Sequence, residues 1–443
     1  MLAKHVPAQN GGNQSGYAYK FVYSAKNHID LCAFALITGI AVIDLLRYAA
    51  LGMLQPLLYM AVTELILVSF AFAAWKGKLP ILMLPVGLAV GWLGTWTNYL
   101  ETTLFHIGFF LQAGIAILWA LGGIVLALRH KKQAAPHRWV FLALPLVLTA
   151  GCMVVCKVSY DAARTADHAG QTVWAVPQTY EQECEHPGTV EHISYETKAY
   201  ATDERTVEKQ ACVYLPYGYN PEKQYNILYL MHGTGDNEDY WLLTHPENKT
   251  MLDQMIEQQV IEPLIVVTPT FYVEDDCKDG LDPLTYSFAK ELRNDLMPAV
   301  EAQYSTYAET SDDAGFAASR EHRAFAGLSR GAVTTNHSAV CQALDYFAWF
   351  GTFSGSRTTA DEFRAAIQSD EFAQLPIKYL YACGGSYDFA LPGQIEDYNN
   401  LLAIEPRLQS GVNTTFTVYP LRHHSADNWH IALYNFLQKV FVE

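Results

Sequence analysis

The residues best suited to chemistry form the segment Gly327-Leu328-Ser329-Arg330-Gly331. An apolar run, residues 324–328, precedes the serine, and a segment with helical periodicity follows it. A serine between two glycines at a strand–turn–helix junction is typical of a nucleophile elbow, because the tight turn leaves no room for side chains at the glycine positions. This context predicts a nucleophilic serine, whereas the G-x-S-x-G pattern alone also fits an ordinary glycine-rich turn.

A serine hydroxyl needs a base, and the candidates for that base and for its acid partner follow Ser329 along the chain. Asp388 follows a predicted strand, where parallel sheets place functional loops, whereas its rival Asp397 falls in a helix or a long loop. We expect Asp388 to hold the tautomer of the base and to stabilise its imidazolium form. In the α/β-hydrolase order the histidine comes last. His423 and His424 both follow the last predicted strand, and spacing does not separate them.

A second glycine-rich segment, Met231-His232-Gly233-Thr234-Gly235, follows another apolar run. This is the H-G-x-G type of loop that supplies a backbone donor to an oxyanion, and the residue after the nucleophile supplies the other donor. The sequence therefore predicts an oxyanion hole made by the backbone N–H groups of Thr234 and Arg330. We expect His232 to make structural hydrogen bonds.

Three aromatic residues near these loops are candidates for the substrate pocket. Tyr240 and Trp241 follow the oxyanion loop behind an acidic stretch at residues 236–239, and Tyr387 adjoins Asp388. A solvated rim explains the acidic stretch equally well. The sequence has no Cys/His group with the spacing of zinc ligands, and serine hydrolysis needs no metal, so we expect neither a metal nor a cofactor.

Around these residues the sequence alternates short apolar strands with amphipathic helices. This alternation predicts an α/β domain with a mostly parallel central sheet. We assign residues 159–192 to a linker and lead-in and residues 193–443 to this domain. The predicted strands lie at residues 191–197, 211–215, 226–231, 264–268, 324–328, 349–353, 378–383 and 414–419. The predicted helices lie near residues 251–259, 288–303, 332–343, 360–369 and 428–442.

This domain resembles the bacterial putative-esterase family of α/β-hydrolases, which includes feruloyl and acetylxylan esterases of carbohydrate esterase family 1, enterochelin esterases, S-formylglutathione hydrolases and mycolyltransferases. The matching stretches are Val213-Tyr214-Leu215-Pro216, Tyr229-Leu230-Met231-His232-Gly233, Asp295-Leu296-Met297-Pro298, His322-Arg323-Ala324-Phe325-Ala326-Gly327-Leu328-Ser329 and the tail at residues 429–437. The resemblance implies an α/β-hydrolase fold and a serine esterase acting on feruloyl- or acetyl-type esters of carbohydrates. In feruloyl-esterase-like members the base stands five residues before a tryptophan that opens the last helix, so Trp429 implies His424.

Two segments depart from the family pattern. After the nucleophile the family usually has methionine and then two glycines, whereas this chain has Arg330, Gly331 and Ala332, and His423 stands where the family usually has glycine. We expect Arg330 either to narrow the acyl pocket or to pair with an acidic group of the substrate. Both departures bear on the substrate more than on the triad.

The first 158 residues have a different character. They hold 11 Lys+Arg and 4 Asp+Glu, a net charge of +7, whereas the remainder carries −23 of the total of −16. Five apolar runs, at residues 29–46, 54–75, 81–100, 104–128 and 139–158, are long enough to span a bilayer as helices. They predict an all-α transmembrane bundle of about five helices in residues 1–158, with the lipid bilayer as partner. Asp44 and Glu64 fall within the first two runs.

The distribution of Lys and Arg between the predicted spans sets the expected orientation. The N-terminal tail and the even loops hold nine positive residues, and the odd loops hold one. Positive residues favour the cytoplasmic side, so we expect a cytoplasmic N-terminus in a multi-pass cell-membrane protein. With five spans the C-terminal domain lies outside the cell.

Composition and charge narrow the function classes. The chain has 443 residues, of which 51% are hydrophobic and 13% aromatic, which excludes intrinsic disorder. Its net charge of −16 disfavours nucleic acid as a partner. Two alternatives to an esterase stay open: an envelope acyltransferase with the same triad, and a non-catalytic ligand-binding or sensor membrane protein. A disulfide among Cys184, Cys212 and Cys277 also stays open.

Overall fold

The computed structural model describes residues 30–43, 172–173, 175–273, 280–386, 388–419 and 422–442, together with residues 46, 68, 71, 72, 75 and 118. The chain divides into two compact units, Met1–Lys157 and Val158–Glu443.

The first unit contains a helix over residues 30–43. Ala33, Ile37 and Ala41 are buried along one side of this helix, and Leu36 and Ile43 are exposed. Within the part of the chain that the structure describes, no helix is long and apolar enough to cross a membrane. The five predicted spans fall mostly on residues outside this part, as do Asp44 and Glu64. The membrane bundle therefore stays a prediction.

The second unit is built on one eight-stranded sheet with the order β1-β2-β4-β3-β5-β6-β7-β8. Strands β3 to β8 pair in parallel, and β2 pairs antiparallel with both β1 and β4. This confirms the predicted α/β-hydrolase fold with a mostly parallel sheet. The strands are β1 Thr189–Lys198, β2 Thr206–Leu215, β3 Asn226–Met231, β4 Leu264–Thr268, β5 Arg323–Leu328, β6 Trp349–Phe353, β7 Tyr379–Gly385 and β8 Thr414–Tyr419.

Helices cover both faces of the sheet. The α-helices are α1 Pro246–Glu257, α2 Leu281–Glu291, α3 Met297–Glu301, α4 Asp313–Ala318, α5 Arg330–Thr334, α6 Ala360–Ile367, α7 Leu391–Ile404 and α8 Ala426–Leu437. A π-helical segment, Leu292–Leu296, joins α2 to α3, and another, Thr335–Val340, extends α5. Capping side chains fix two of the starts: Asp312 accepts from the Gly315 N–H before α4, and Thr359 forms a capping box with Glu362 before α6.

Two apolar cores, one on each face, hold these layers together. One core packs the face toward α2, α3, α6 and α7, and the other packs the face toward α1 and α8. Every residue of β4 and β5 is buried, which explains the continuous apolar runs of the central strands. The lead-in belongs to the second core, because Val173, Val176 and Tyr180 are buried in it and the side chain of Asn435 on α8 bonds the backbone of Val173.

The structure corrects several of the predicted helices. The short helix α4 and the longer helix α7 were not predicted, and in α7 Pro392 and Gly393 in the first turn conceal its start. The helix predicted at residues 288–303 begins earlier, at Leu281. Pro283 is compatible with this start, since it lies in the first turn, where proline is tolerated. Asp397 thus lies on α7.

Candidate active site

Ser329 lies at the carboxyl end of β5, in the turn that leads into α5. Its backbone has φ +50° and ψ −112°, a conformation that non-glycine residues rarely adopt. The turn is closed by backbone contacts: a Cβ at Gly327 would lie 2.4 Å from the carbonyl carbon of Gly331, and a Cβ at Gly331 would lie 2.5 Å from the Met231 oxygen. The Ser329 N–H donates to the Phe353 carbonyl at 2.7 Å. Close packing of the backbone therefore fixes Ser329 at the carboxyl end of the sheet.

Asp388 and His424 reach Ser329 from the loops after β7 and β8. His424 Nε2 lies 2.9 Å from Ser329 Oγ, and His424 Nδ1 lies 2.9 Å from Asp388 Oδ1. Asp388 is only 3% exposed, and its Oδ1 also accepts from the Ala390 N–H at 2.8 Å. This network places a proton on His424 Nδ1 and leaves Nε2 free to accept the serine proton.

The two rival residues lie elsewhere. His424, and not its neighbour His423, contacts both Ser329 and Asp388, and we call these three linked side chains the catalytic relay. Asp397 on α7 instead accepts from the Arg357 N–H at 2.9 Å, and burial raises its pKa above the ordinary value. The structure thus brings together the serine, acid and histidine that the sequence pattern and the family resemblance together favoured.

The oxyanion loop follows β3 and passes beside the serine. A Cβ at Gly233 would lie 3.4 Å from the Ser329 Cβ, so the loop lies next to the serine side chain. Arg330 is the first residue of α5, and a first-turn N–H has no acceptor within its own helix. The Gly235 N–H donates to the Tyr272 hydroxyl at 2.9 Å, which fixes the far side of the loop next to Thr234.

His232 holds the base of this loop. Its Nδ1 lies 2.7 Å from the Gly233 carbonyl, and its Nε2 lies 2.8 Å from the Thr270 hydroxyl. Burial lowers the pKa of His232 to about 4, so the imidazole is neutral near pH 7. A neutral histidine bonded on both sides acts as a support for the loop.

The side chain of Arg330 forms an ion pair with Asp282 on α2. The guanidinium groups of Arg330 and, at 3.3 Å, Arg357 hold the pKa of the Asp282 carboxyl below its usual range. Sequence reasoning identified Arg330 but missed Asp282, since no local pattern connects these two segments. This ion pair holds the Arg330 side chain at the start of α2.

The three pocket candidates have different outcomes. Trp241 is 1% exposed and donates to the Met231 carbonyl at 3.0 Å, so it is a core residue and its prediction as a pocket wall is corrected. Tyr240 is also buried and contacts Trp429, which in turn lies edge-on to His424 at 5.0 Å between ring centroids. Tyr387 lies outside the described residues.

One aromatic residue beside the base was missed. The Phe389 ring lies 4.2 Å from the His424 ring, between centroids, and the residue is 41% exposed. The sequence signal for Phe389 was its position directly after Asp388, and that signal was overlooked. Phe389 therefore presents an apolar surface to solvent beside the imidazole of His424.

The sheet order and the Ser–His–Asp geometry define a serine hydrolase of the α/β-hydrolase class. Comparison with known proteins narrows the class, because residues 205–372 match the family described as Putative esterase. Through this domain the chain belongs to that family, and the domain is a serine carboxylic-ester hydrolase.

Two curated proteins similar to this chain carry the name endo-1,4-beta-xylanase. Endo-1,4-beta-xylanase Y of Acetivibrio thermocellus is 46% identical over 147 residues, 33% of this chain and 13% of that protein. The endo-1,4-beta-xylanase/feruloyl esterase of Xylanibacter ruminicola is 31% identical over 161 residues, 35% of this chain and 20% of that protein. This chain thus spans only a small part of both relatives.

A solved structure covers the domain more fully. It is a serine-to-alanine mutant of the feruloyl esterase module from Clostridium thermocellum in complex with sinapinate. The two chains are 33% identical, with a TM-score of 0.53, and the match covers 60% of this chain and 93% of that module.

Proposed function

We propose that this protein is a membrane-anchored carbohydrate-ester hydrolase that cleaves feruloyl- or acetyl-type esters outside the cytoplasm through an acyl-Ser329 intermediate. The observation that carries the proposal is the continuous relay from Ser329 Oγ to His424 to the buried Asp388, with both steps at 2.9 Å. A hydroxyl, a base and an orienting carboxylate at these distances are the components of acyl transfer.

The reaction proceeds in two halves. His424 Nε2 takes the proton of Ser329 as Oγ attacks the ester carbonyl, and the oxyanion accepts hydrogen bonds from the N–H groups of Thr234 and Arg330. His424 then gives the proton to the leaving alcohol, and the acyl group stays on Ser329. Water enters, loses a proton to His424 and attacks the acyl carbon, which releases the acid and restores the serine hydroxyl. Asp388 stabilises the imidazolium in each half.

The names of the similar proteins support a hydroxycinnamoyl ester as substrate. One relative is a xylanase/feruloyl esterase, and the solved module holds sinapinate. The exposed ring of Phe389 beside His424 offers an apolar surface for an aromatic acyl group or its sugar.

The charge and apolar patterns of the sequence support anchoring in the membrane. Five apolar runs precede the domain, and the positive residues lie in the tail and the even loops. Accordingly, the protein should stay with membranes after alkaline carbonate extraction. Protease added to intact spheroplasts should remove the C-terminal domain, and protection of the domain would contradict the proposed orientation.

The test of the activity uses the full chain purified in mild detergent, with Ser329→Ala as the inactive variant. Ser287→Ala is the matched control, because this serine lies on α2 and its hydroxyl bonds the Pro283 carbonyl. Each protein is given methyl ferulate or p-nitrophenyl acetate, with and without a sugar acceptor, and free acid and acceptor ester are measured separately.

The proposal predicts acid release in water by the native chain and by Ser287→Ala, and its loss in Ser329→Ala. Ester formed only with the acceptor would contradict hydrolysis and identify an acyltransferase. No acylation of a folded native chain would contradict the enzymatic proposal and favour a ligand-binding protein.

A further inference from the structure

Three potential metal ligands from separate segments of the chain meet at one place outside the catalytic relay. His192 Nε2 lies 2.7 Å from Asp239 Oδ1, and Cys212 Sγ lies 3.2 Å from the same oxygen. The three ligand atoms all lie within 4.8 Å of one another. We propose that His192, Cys212 and Asp239 form a binding site for a zinc ion, with water as the fourth ligand.

The donor set fits zinc in type and in spacing. Zinc binds imidazole nitrogen, thiolate sulfur and carboxylate oxygen in tetrahedral sites. Tetrahedral geometry at the usual bond lengths separates the nitrogen and oxygen ligands by about 3.3 Å and the sulfur and oxygen ligands by about 3.5 Å. The observed separations of 2.7 and 3.2 Å are hydrogen-bond distances, so the ligands need to part by less than about 1 Å to admit the ion.

The fold holds the three side chains in place. His192 on β1 and Cys212 on β2 are directly opposite each other in the antiparallel pair, so their side chains lie on the same face of the sheet. Thr268 on β4, the partner of Cys212 in the sheet, donates its hydroxyl to the Glu238 carbonyl at 2.6 Å and so anchors the residue before Asp239. Two strands and one loop therefore position the site.

Burial and charge also suit a cation. Cys212 is fully buried, whereas the side chains of His192 and Asp239 are 40% and 36% exposed, which leaves a route for the ion. When zinc binds, the proton on Cys212 Sγ leaves to solvent as the Zn–S bond forms. A thiolate, a carboxylate and a neutral imidazole then balance the two charges of the ion.

The site has a consequence for the oxyanion loop. Asp239 follows Thr234 by five residues, so zinc ties the loop to the β1–β2 pair at the edge of the sheet. Zinc takes no part in the chemistry of Ser329. The expectation of no metal, drawn from ligand spacing along the sequence, did not foresee this site because its ligands come from three segments.

A second cluster gives a matched control. Glu185, His186 and Glu257 also bring ligand atoms within 4.8 Å of one another, and Cys184 Sγ lies 2.5 Å from Glu257 Oε2. All of these residues are exposed or half-buried. We therefore expect zinc to prefer the cluster with the buried cysteine.

The test measures zinc on the full chain purified in detergent, stripped with chelator and then given zinc chloride. Zinc per chain is measured by mass spectrometry after gel filtration, and affinity by competition with a chromophoric chelator. The native chain should retain one zinc ion that is absent in His192→Gln, Asp239→Asn and Cys212→Ser. Affinity should fall at least about 100-fold in these variants, since loss of a partner outside the ligand shell already costs 10–100-fold.

Cys184→Ser and His186→Gln should bind zinc like the native chain. Cobalt in place of zinc should give a thiolate-to-metal charge-transfer band that Cys212→Ser lacks and Cys184→Ser keeps. His192→Gln changes a half-exposed side chain and keeps the test valid if Cys212→Ser does not fold. No retained zinc, zinc unaffected by His192→Gln, or zinc lost in His186→Gln would each overturn the proposal.

Discussion

The two sides of the active site are held by different forces. On the nucleophile side, backbone atoms pack directly on one another. Gly327 and Gly331 leave no room for a Cβ, and a Cβ at Gly355 would lie 2.4 Å from the backbone carbonyl oxygen of Ser329. On the acid–base side, His424 is positioned by its hydrogen bond to Asp388 and by aromatic contacts.

Because of this difference, the two sides should respond differently to substitution. The packed backbone cannot adjust to an added methyl group, because the methyl group meets main-chain atoms that cannot move without disturbing the sheet. Hydrogen bonds and ring contacts are lost one at a time, so substitutions there should lower the rate in steps while the fold persists.

The largest effect should come from Gly331→Ala. The new Cβ would lie 2.5 Å from the Met231 oxygen and 2.6 Å from the His232 oxygen, so β3, the oxyanion loop or the elbow must shift. We expect loss of measurable esterase activity and destabilisation of about 3 kcal/mol or more. Activity on p-nitrophenyl acetate and the unfolding midpoint measure the two effects.

Gly393→Ala is the control for this variant. Gly393 lies in the first turn of α7 with no heavy atom within 4 Å of an added Cβ. Alanine there should leave activity unchanged and stabilise the helix by up to about 1 kcal/mol. Native activity in Gly331→Ala would refute the view that backbone packing fixes the nucleophile.

The next effect should come from Asp388→Asn. The amide keeps the size of the carboxylate but neither stabilises the imidazolium nor holds the proton on His424 Nδ1, so kcat should fall about 10⁴-fold with the fold intact. Asp397→Asn, on α7, should reduce kcat by less than about tenfold. The reverse order of the two effects would reassign the acid of the relay to Asp397. Steady-state kinetics and circular dichroism provide the comparison.

A smaller effect concerns pH and the oxyanion loop. The pKa of His232 is about 4 in the folded chain against an ordinary value of 6.5, so between these values the unfolded chain binds a proton that the folded chain does not. The free energy of unfolding should therefore fall by about 3 kcal/mol as the pH drops from 7 to 4. Denaturant unfolding at a series of pH values should show this slope reduced in His232→Gln.

Thr270→Val is the control for the pH experiment. It removes the hydroxyl partner of His232 Nε2 and keeps the titrating imidazole, so the slope should persist. An identical slope in the native chain and in His232→Gln would show that this histidine does not contribute.

The smallest effect should come from Phe389→Ala. The ring packs on His424 but is 41% exposed, so its removal should lower kcat/KM about two- to fivefold and leave the unfolding midpoint nearly unchanged. Tyr217→Ala is the matched control, because this exposed ring packs on His186, away from the relay. A loss of 100-fold or more in Phe389→Ala would mean that the ring fixes the base as firmly as Asp388 does.

The sequence predicted the sheet and the position of the nucleophile well because both have local signals. The bounds of β3, β4, β6 and β8 agree with the prediction, since buried strands are short continuous apolar runs between turns. Ser329 was found through its two glycines and the strand before it. The choice of His424 over His423 came only from the family resemblance, since a one-residue difference has no signal in spacing.

The remaining features depend on contacts between distant segments. In the sequence Trp241 is an aromatic residue near the oxyanion loop. Its burial in the core depends on the packing of β3 and α8 around it, which no local pattern shows. The same reason hid Asp282 as the partner of Arg330, and the meeting of His192, Cys212 and Asp239. Cys184 and Cys212, left open as disulfide partners, are free thiols, and Cys277 lies outside the described residues.

Covalent labelling tests whether Ser329 is the nucleophile and whether His424 activates it. The full chain in detergent is treated with a fluorophosphonate, and peptide mass spectrometry locates the modified residue in the native chain, in Ser329→Ala and in Asp388→Asn. We expect one label on Ser329 in the native chain, none in Ser329→Ala and much slower labelling in Asp388→Asn. A label on another residue, or labelling of Ser329→Ala at the native rate, would contradict the assignment of Ser329 as the nucleophile.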